Sequence, residues 1–599
     1  MCRSRSSVPF LPLALFLLLL AMHCAGGCLA AAPALRHRCN FDEVMRKSGP
    51  LPTAVVRELP RKGQGAMQAY TVASAGNGND AWAPIRILVS TEDLRDSRKY
   101  CNETGVSRTD FTRSLLPCQE GHVFTTEKKK MYENFLLPRA VKLHTDRLLV
   151  KPLAGALVVP HALPFPCYVF KIPSDHKSTG VRNADMVLYA AAGPMSGGVA
   201  VGKMCAVLED GRPSVGVVNY NPQQIVQREL AVRILAHEIA HALGFGYRNL
   251  QNKSLVSYEW VAREKSSVMM VTGSNVKEKA KAHFKCDSLK GMELDDTALK
   301  GAASHWKGRN ARDELMAPVV GVGRYTALTM AAFADLGYYS VNWGMAEPMS
   351  WGNGVGCTFL EKKCREINNL TSIYSHMLCD EKDTATLRCS AERHHVGKCT
   401  GFIRNSNENC PFVSSFLTKS MSGDSVFSRC SDESVASLPG SLTGKGSWCL
   451  DAEFLQAKAS NGSDYASVSG VCAQVQCAGG KVKVKYLGGS GFEPCPEGGE
   501  IQVTASEHFK NGGKIKCPRY EEVCTVAADG SGFPFEWDEL ELQRANAGPP
   551  HTFSNGVLPW ARNAYAYITG RDGSAAAAVG LSSFALLAVI TAAVAVLPL

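Results

Sequence analysis

The sequence has 599 residues, which is enough for two to four domains that each bury a core of their own. Charged residues make up 20% of the chain, and the formal net charge of +10 is spread thinly over this length. The one notable basic run, Lys128-Lys129-Lys130, is interpreted as a solvated face, so the composition gives no nucleic-acid-binding signature and is that of an ordinary globular protein.

Both ends of the chain carry apolar segments. Arg3 and Arg5 precede an apolar run and then small residues, which predicts a secretory signal peptide over residues 1–30. At residues 571–599, the small residues Gly573-Ser574-Ala575 precede an uncharged apolar tail, which is typical of a glycosylphosphatidylinositol (GPI) attachment signal. A retained transmembrane helix is the alternative. Both interpretations predict a protein on the extracellular face of the plasma membrane.

The cysteine count agrees with an oxidising compartment. Of 22 cysteines, three lie in or beside the predicted signal peptide and Cys39 stands alone, which leaves 18 for nine disulfides. Candidate glycosylation sites also fit a secreted surface; they are Asn102, Asn252, Asn369 and Asn461.

Residues 31–77 are weakly patterned and are predicted to form a pro-segment, with a processing site near residues 76–80. Cys39 lies in this segment. Because a thiolate binds zinc well, Cys39 could occupy a metal site and keep a precursor inactive. The alternative is an unpaired cysteine in a discarded peptide.

Residues 78–246 alternate between predicted strands and helices, which indicates a mixed sheet with helices packed on it. The predicted strands are 85–90, 186–190 and 214–220, and the predicted helices are 131–148 and 223–243.

The second predicted helix contains His237-Glu238-Ile239-Ala240-His241. Residues four apart share one helix face, so the two histidines can hold a single cation, and Glu238 is placed to act on what that cation binds. This is the zinc-peptidase signature, in which the glutamate is the general base. The alternative is a buried helix with two hydrogen-bonded histidines. Gly244 is predicted to end the helix by adopting a positive φ.

A catalytic zinc ion needs a third protein ligand. The compact version of the signature would place a histidine at position 247, where this chain has Tyr247. The residues themselves leave several candidates open downstream: Glu259, Glu264, His283 and His305.

Further motifs identify a family. The motifs are 237–244, Ser304-His305-Trp306, Asp313-Glu314-Leu315-Met316-Ala317-Pro318 and 325–330, and together they resemble the leishmanolysin family, the major surface metalloproteases of parasitic protozoa. The resemblance implies that His305 is the third ligand of one Zn²⁺ per chain, that Met316 belongs to a Met-turn beneath the ligands, and that Cys39 is the thiol of a cysteine switch. Glu259 and Glu264 are then interpreted as surface charges on a helix.

The resemblance also implies the architecture. We expect an α+β fold with a metzincin-like catalytic domain over residues 78–246, built from a twisted mixed sheet and the active-site helix. A central domain over residues 247–362 would carry His305 and Met316. Frequent cysteines over residues 363–570 predict a disulfide-rich domain of strands and loops that leads through a stalk to the anchor.

The expected function is hydrolysis of peptide bonds in proteins at the cell surface, with host extracellular proteins as possible substrates. One alternative is an adhesion or binding protein that retains a protease scaffold without turnover. A second alternative is a glutamate zincin, in which Glu259 or Glu264 would be the third ligand.

Overall fold

The computed structural model describes residues 37–57, 82–226, 229–295, 304–405, 408–421, 425–435, 438–458, 465–527 and 530–532. The chain divides into two compact units after Glu541, and every described residue belongs to the first unit. The predicted signal peptide, the predicted processing site, Asn461 and the predicted anchor signal lie outside the described residues.

The helices of the described residues are short, apart from the two around 229–242 and 274–284. They are α1 (Phe41–Arg46), α2 (Thr126–Met131), α3 (Leu137–Thr145), α4 (Ser174–Ser178), α5 (Glu229–Ala242), α6 (Tyr247–Asn252), α7 (Ser274–Phe284), α8 (Ala327–Asp335), α9 (Gly356–Glu361), α10 (Leu370–Ile373) and α11 (Tyr520–Val523). A π-helical turn at Tyr132–Leu136 joins α2 to α3.

Strands are spread along the whole described chain and lengthen towards its C-terminal part. They are β1 (His37–Arg38), β2 (Val55–Arg57), β3 (Ala83–Pro84), β4 (Ile87–Ser90), β5 (Ser107–Thr109), β6 (Leu115–Pro117), β7 (Leu148–Val150), β8 (Ala156–Val158), β9 (Met186–Ala191), β10 (Ala200–Val207), β11 (Pro213–Tyr220), β12 (Val256–Val261), β13 (Ser266–Val271), β14 (Met292–Glu293), β15 (Val319–Val320), β16 (Ser340–Val341), β17 (Arg388–Cys389), β18 (Val396–Asn405), β19 (Glu408–Ser415), β20 (Leu417–Lys419), β21 (Ser425–Phe427), β22 (Ser447–Lys458), β23 (Tyr465–Ala478), β24 (Lys481–Lys485), β25 (Glu493–Pro494), β26 (Glu500–Val503) and β27 (Gly513–Lys516).

The sheet that positions the site has four strands in the order β10-β11-β9-β4. β4, β9 and β11 are parallel, and β10 pairs antiparallel with β11 at the edge. One face of this sheet and α5 share a single apolar core, to which α8 and the segment around Trp306 also contribute. The sequence therefore predicted the mixed sheet and its three principal strands correctly.

Both predicted helices have different limits in the structure. α5 begins only at Glu229, because Pro222–Gln224 forms a separate 3-10 turn in which the Asn221 side chain accepts the backbone N–H of Gln223 at 3.2 Å. The other helical segment runs from Thr126 to Thr145, since Thr125 caps it by accepting the backbone N–H of Lys128. Leu148 belongs to β7, which pairs with β3 and β16.

The C-terminal part is built from strands and disulfides, as predicted. Its main sheet has six strands in the order β25-β24-β23-β22-β27-β26 around a second core. Nine disulfides form among the described residues: 101–118, 167–205, 286–357, 364–410, 379–399, 389–449, 430–472, 477–524 and 495–517. Cys39 is the one free cysteine in this part of the chain. The α+β fold class and the count of nine disulfides are confirmed.

Within the described ranges, no helix is both long enough and apolar enough to cross a membrane.

Candidate metal centre

Helix α5 carries His237, Glu238 and His241 in a fully buried setting, since every side chain from Ala231 to Ala242 is buried. The sheet and the helix approach each other closely at Gly202 of β10. A Cβ at this position would overlap the carbonyl oxygen of Glu238, so only glycine allows this packing distance. The packing of α5 against the edge strand therefore depends on Gly202, which was not predicted from the sequence.

Three histidine rings meet at one point. The Nε2 atom of His241 lies 3.2 Å from Nε2 of His237 and 3.2 Å from Nε2 of His305. The Sγ atom of Cys39 lies 3.5 Å from Nε2 of His241, and all four ligand atoms are within 4.8 Å of one another. The structure thus brings together four of the residues singled out in the sequence, although 64 positions separate His241 from His305.

Backbone carbonyls fix the tautomers of the two helix histidines. Nδ1 of His237 lies 2.6 Å from the carbonyl oxygen of Leu315, and Nδ1 of His241 lies 2.7 Å from that of Phe245. A carbonyl oxygen can only accept, so each Nδ1 carries the proton and each Nε2 presents a lone pair. Two lone pairs 3.2 Å apart repel, and a shared cation converts this repulsion into two bonds.

The donor set fits a zinc ion. Two nitrogen ligands at about 2.0–2.1 Å from tetrahedral zinc lie roughly 3.3 Å apart, and a thiolate at about 2.3 Å lies roughly 3.6 Å from a nitrogen ligand. The distances from Nε2 of His241 to the ligand atoms of His237, His305 and Cys39 agree with these values. Imidazole and thiolate are also the ligand types that zinc prefers.

The turn that contains Met316 lies against two of the histidines. Leu315 supplies the carbonyl to His237, and the carbonyl of Met316 accepts the backbone N–H of Trp306, the residue next to His305, at 2.9 Å. The Glu314 carboxylate holds the turn by accepting the backbone N–H of Met316 at 2.5 Å. Met316 is fully buried, and the turn contacts the His237 ring directly and the backbone of Trp306 beside His305.

Comparison with known proteins shows the family of this chain. A sequence profile of the leishmanolysin peptidase family matches residues 37–530. The chain belongs to the leishmanolysin family. Leishmanolysin of Leishmania major is 34% identical over 542 residues, which cover 83% of this chain and 88% of the relative. A leishmanolysin homolog of Crithidia fasciculata is 34% identical over 475 residues, covering 75% of this chain and 72% of the relative.

A more distant relative matches a smaller part. The leishmanolysin-like peptidase of Drosophila melanogaster is 29% identical over 283 residues, which cover 37% of this chain and 40% of the relative. Membership of the leishmanolysin family makes this chain a zinc-dependent metalloendopeptidase whose substrates are proteins. The family predicted from the sequence motifs is confirmed.

In this leishmanolysin-family chain, the segment around Cys39 lies directly over the centre. β1 pairs antiparallel with β15, just after the turn that contains Met316, and the backbone N–H of Cys39 donates to the Pro318 carbonyl. The Phe41 ring stacks on His241 with centroids 3.9 Å apart and planes 5° apart. The Asp42 carboxylate accepts the backbone N–H of Ser304 at 3.2 Å and lies 3.8 Å from Nδ1 of His305.

Cys39 was predicted as a site residue from the sequence, whereas Phe41 and Asp42 were not. An aromatic residue and an acid next to a cysteine carry no local pattern that would connect them to histidines 200 or more positions away.

The carboxylate of Glu238 points along the edge strand. Its Oε2 atom accepts the backbone N–H of Gly202 at 2.6 Å. Burial raises the pKa of the Cys39 thiol, and the nearby Glu238 carboxylate raises it further. Burial also raises the pKa of Asp42, against the hydrogen bonds from Ser304. A cation at the centre would favour the ionised forms of both groups.

The other candidate ligands lie elsewhere. Glu259 is on β12, where it accepts from the Ser257 hydroxyl, and Glu264 lies beside Arg263 and Lys307. Their assignment to a helix surface was wrong, because residues 256–271 form the antiparallel hairpin β12–β13. The ring of His283 is held by the Trp351 carbonyl at 2.9 Å.

Gly244 ends α5 as predicted, with φ of +108°. The backbone N–H of Phe245 donates to the Ala240 carbonyl at 3.0 Å, so the chain reverses under the helix end. This reversal aims the Phe245 carbonyl at His241. A side chain at Gly244 would also press on the Asn249 amide, which donates to the Gly244 carbonyl at 2.8 Å.

A buried histidine supports the helix from α3. Nε2 of His144 donates to the Ala236 carbonyl at 2.9 Å, and its Nδ1 lies 3.1 Å from the Tyr325 hydroxyl. Burial lowers the pKa of His144 to about 3, so the ring is neutral. The sequence gave no signal for this role, because both of its partners are distant in the chain.

Three of the four candidate glycosylation sites are on described, exposed residues: Asn102, Asn252 and Asn369. Their modification stays a prediction.

Proposed function

We propose that His237, His241 and His305 hold one zinc ion per chain and that Glu238 is the general base of peptide-bond hydrolysis. The observation that carries this assignment is the convergence of the three Nε2 atoms, with the Nδ1 atoms of both helix histidines committed to backbone carbonyls. Bound zinc would supply Lewis acidity that activates water and polarises the scissile carbonyl.

The protein's own groups divide the remaining work. The Gly202 N–H holds the Glu238 carboxylate beside the histidines. From there Glu238 takes the proton of the attacking water and delivers it to the departing amine. The Leu315 and Phe245 carbonyls fix the rings of His237 and His241 throughout, and Met316 lies in the turn that supplies the Leu315 carbonyl.

We further assign Cys39 as the thiol that keeps the precursor inactive. Its Sγ lies where it would occupy the fourth coordination position, which catalysis needs for water. Phe41 and Asp42 cover His241 and His305. In this assignment residues 31–77 are a pro-segment, 78–246 the catalytic domain, 247–362 the central domain, and 363–570 the Cys-rich domain with its stalk.

The proposed location is the extracellular face of the plasma membrane. The predicted signal peptide, the predicted GPI signal and the candidate glycosylation sites support it, and nine disulfides fit an oxidising compartment. Proteins of that space, including host extracellular proteins, are then the substrates. The adhesion alternative differs in requiring no turnover.

Casein digestion by the secreted protein freed of its pro-segment tests the catalytic assignment. We expect digestion that phenanthroline abolishes, together with loss of activity by at least 100-fold in Glu238→Gln with zinc retained. Glu259→Gln is the matched control, since it makes the same change at the residue that a glutamate zincin would use. Substantial cleavage by Glu238→Gln contradicts the assigned base. Absence of cleavage by the unmodified protein favours the adhesion alternative, and loss of cleavage in Glu259→Gln favours the glutamate zincin.

A further inference from the structure

The pro-segment follows edge strand β10 beyond the metal centre. The backbone N–H of Ala54 donates to the Val207 carbonyl at 2.8 Å, and the N–H of Val207 donates to the Pro52 carbonyl at 3.1 Å. These bonds form a parallel bridge between Thr53 and Val207. An edge strand offers such backbone groups to any extended peptide, so the pro-segment occupies a place that another peptide can take.

Val44 of α1 fills a small apolar site on this edge. It forms a separate cluster with Met195, from the loop before β10, and Val201 of β10. The three side chains are 4%, 9% and 7% exposed, respectively. Removal of the pro-segment takes away the side chain that covers Met195 and Val201, which leaves a pocket lined by a thioether and two methyl groups.

A buried lysine lies next to this apolar site. Nζ of Lys203 donates to the Ser48 hydroxyl and to the Phe165 carbonyl, the latter at 2.6 Å. Val201 and Lys203 are two residues apart on β10, so their side chains share one face of the strand. When Ser48 leaves, Lys203 loses one of these two oxygen partners.

The N-terminal segment and strand β10 cover similar distances with different numbers of residues, and this difference indicates which kind of peptide can bind along β10. Val44 and Ser48 are four residues apart on a helical turn and its end, which spans about 6 Å. Val201 and Lys203 span about 6.6 Å on a strand. An extended peptide along β10 covers that distance with two residues instead of four.

We propose that Met195 and Val201 form a substrate subsite for an aliphatic side chain, and that Lys203 selects a hydroxyl or carboxylate two residues away on the same substrate. This inference rests on the proposed function, because it assigns the specificity of that centre. In the precursor, Val44 and Ser48 occupy both subsites.

Cleavage of quenched fluorescent peptides by the processed protein, with all its domains present, tests the proposal. In the first pair, Val is compared with Asn at one position; in the second, Asp is compared with Lys two positions away, in both chain directions. We expect kcat/KM to be about tenfold higher for the Val peptide than for the Asn peptide, which is within the discrimination that an apolar pocket gives. We expect a similar factor in favour of Asp over Lys. Val201→Thr should remove most of the first preference, and Lys203→Met most of the second.

Matched controls separate specificity from folding. Val475→Thr changes a half-buried strand valine and Lys481→Met an exposed strand lysine, both in the C-terminal sheet, and neither should alter the preferences. Equal cleavage of all peptides, or unchanged preferences in Val201→Thr and Lys203→Met, overturns the subsites while leaving the proposed function intact. Failure to cleave any peptide despite bound zinc counts against the proposed function itself.

Inhibition in trans provides a second measurement. A synthetic peptide of residues 37–57 with Cys39→Ser should inhibit the processed protein through contacts other than the thiol. Adding Val44→Asn should weaken this inhibition about tenfold, whereas Lys47→Asn, at an exposed position of the same segment, should not. Equal inhibition by the Val44→Asn and Lys47→Asn peptides contradicts the apolar subsite.

Discussion

At the candidate metal centre, backbone groups of residues that are not ligands orient the side chains that are. The Leu315 and Phe245 carbonyls orient the rings of His237 and His241, and the Gly202 N–H holds the Glu238 carboxylate. Such outer contacts decide which nitrogen carries the proton and where each ring points. Because these groups belong to the backbone, we expect a substitution that displaces the backbone at one of these positions to lower activity without removing a ligand.

Gly202→Ala tests this expectation at the closest contact between sheet and helix. The added methyl group meets the Glu238 carbonyl, so the strand and α5 must separate. We expect a loss of about 1–3 kcal/mol in the free energy of unfolding and a fall in kcat/KM of roughly 100-fold. Urea unfolding and peptide assays measure both quantities.

Gly491→Ala is the control for that substitution, because a Cβ there meets open space. A Gly202→Ala protein with the stability and kcat/KM of the Gly491→Ala protein would show that the close approach has no role.

At the scale of elements, α5 is clamped between the sheet and α3. The clamp includes the neutral ring of His144, which donates to the Ala236 carbonyl just before His237. It also includes buried ion pairs, since Glu347 binds Arg147 at 2.8 Å and Arg233 of α5 at 2.6 Å. Arg233 reaches the carbonyl of Ser531 as well, so the last described residues are attached to the helix that carries the centre.

His144 gives the clamp a defined pH dependence. Its pKa falls from 6.5 to about 3 on folding, so the unfolded chain binds more protons between these values. The contribution to stability is complete above pH 6.5 and is lost as pH falls towards 3, by on the order of 4–5 kcal/mol. In urea unfolding from pH 8 to pH 4, His144→Gln should be less stable than the unmodified protein at pH 8 and show a flatter decline.

The exposed His161 supplies the comparison, because His161→Gln should keep the original decline. Identical pH profiles for His144→Gln and the unmodified protein would refute the assigned role of His144.

Helices and strands with a clear local sequence pattern were predicted correctly, whereas the residues at which they begin and end were predicted less accurately. The four-residue spacing of His237 and His241 and the position of Gly244 are properties of one helix, so they needed no tertiary information. The start of α5 was predicted too early, because the 3-10 turn after Asn221 satisfies the backbone locally. The prediction of His305 as the third ligand came from the family's motifs, since spacing alone left Glu259, Glu264 and His283 open as well.

At the scale of the whole molecule, segments that precede and follow α5 in the sequence both contact its histidines. Residues 37–57 enter from the N-terminal side and pass from β15 across the histidines to β8. Phe41, Asp42 and Gly202 could not be assigned from sequence, because each acts through a partner fixed only by the complete fold. If residues 31–77 are removed as proposed, the processed protein loses the long-range contacts of Phe41 and Asp42.

Latency is the property of the whole chain that this arrangement predicts. Cys39→Ala in the unprocessed precursor should raise casein cleavage by at least tenfold, since the thiol no longer competes at the centre. Activity should stay below that of the processed protein, because Phe41 and Asp42 still cover the histidines. Gel analysis must show an uncut chain during the assay.

Lys47→Ala is the matched control, because Lys47 is an exposed residue of the same segment. A Cys39→Ala precursor as inactive as the Lys47→Ala precursor would mean that the thiol does not control latency.

Zinc stoichiometry of the processed protein, measured together with peptide hydrolysis in the His305→Ala variant, tests the central claim most directly. The unmodified protein and Glu238→Gln should each bind one zinc ion per chain. His305→Ala should bind zinc at least tenfold more weakly and hydrolyse no peptide, with His283→Ala as the control that keeps both properties. One tightly bound zinc ion and normal hydrolysis in His305→Ala would contradict the three-histidine centre.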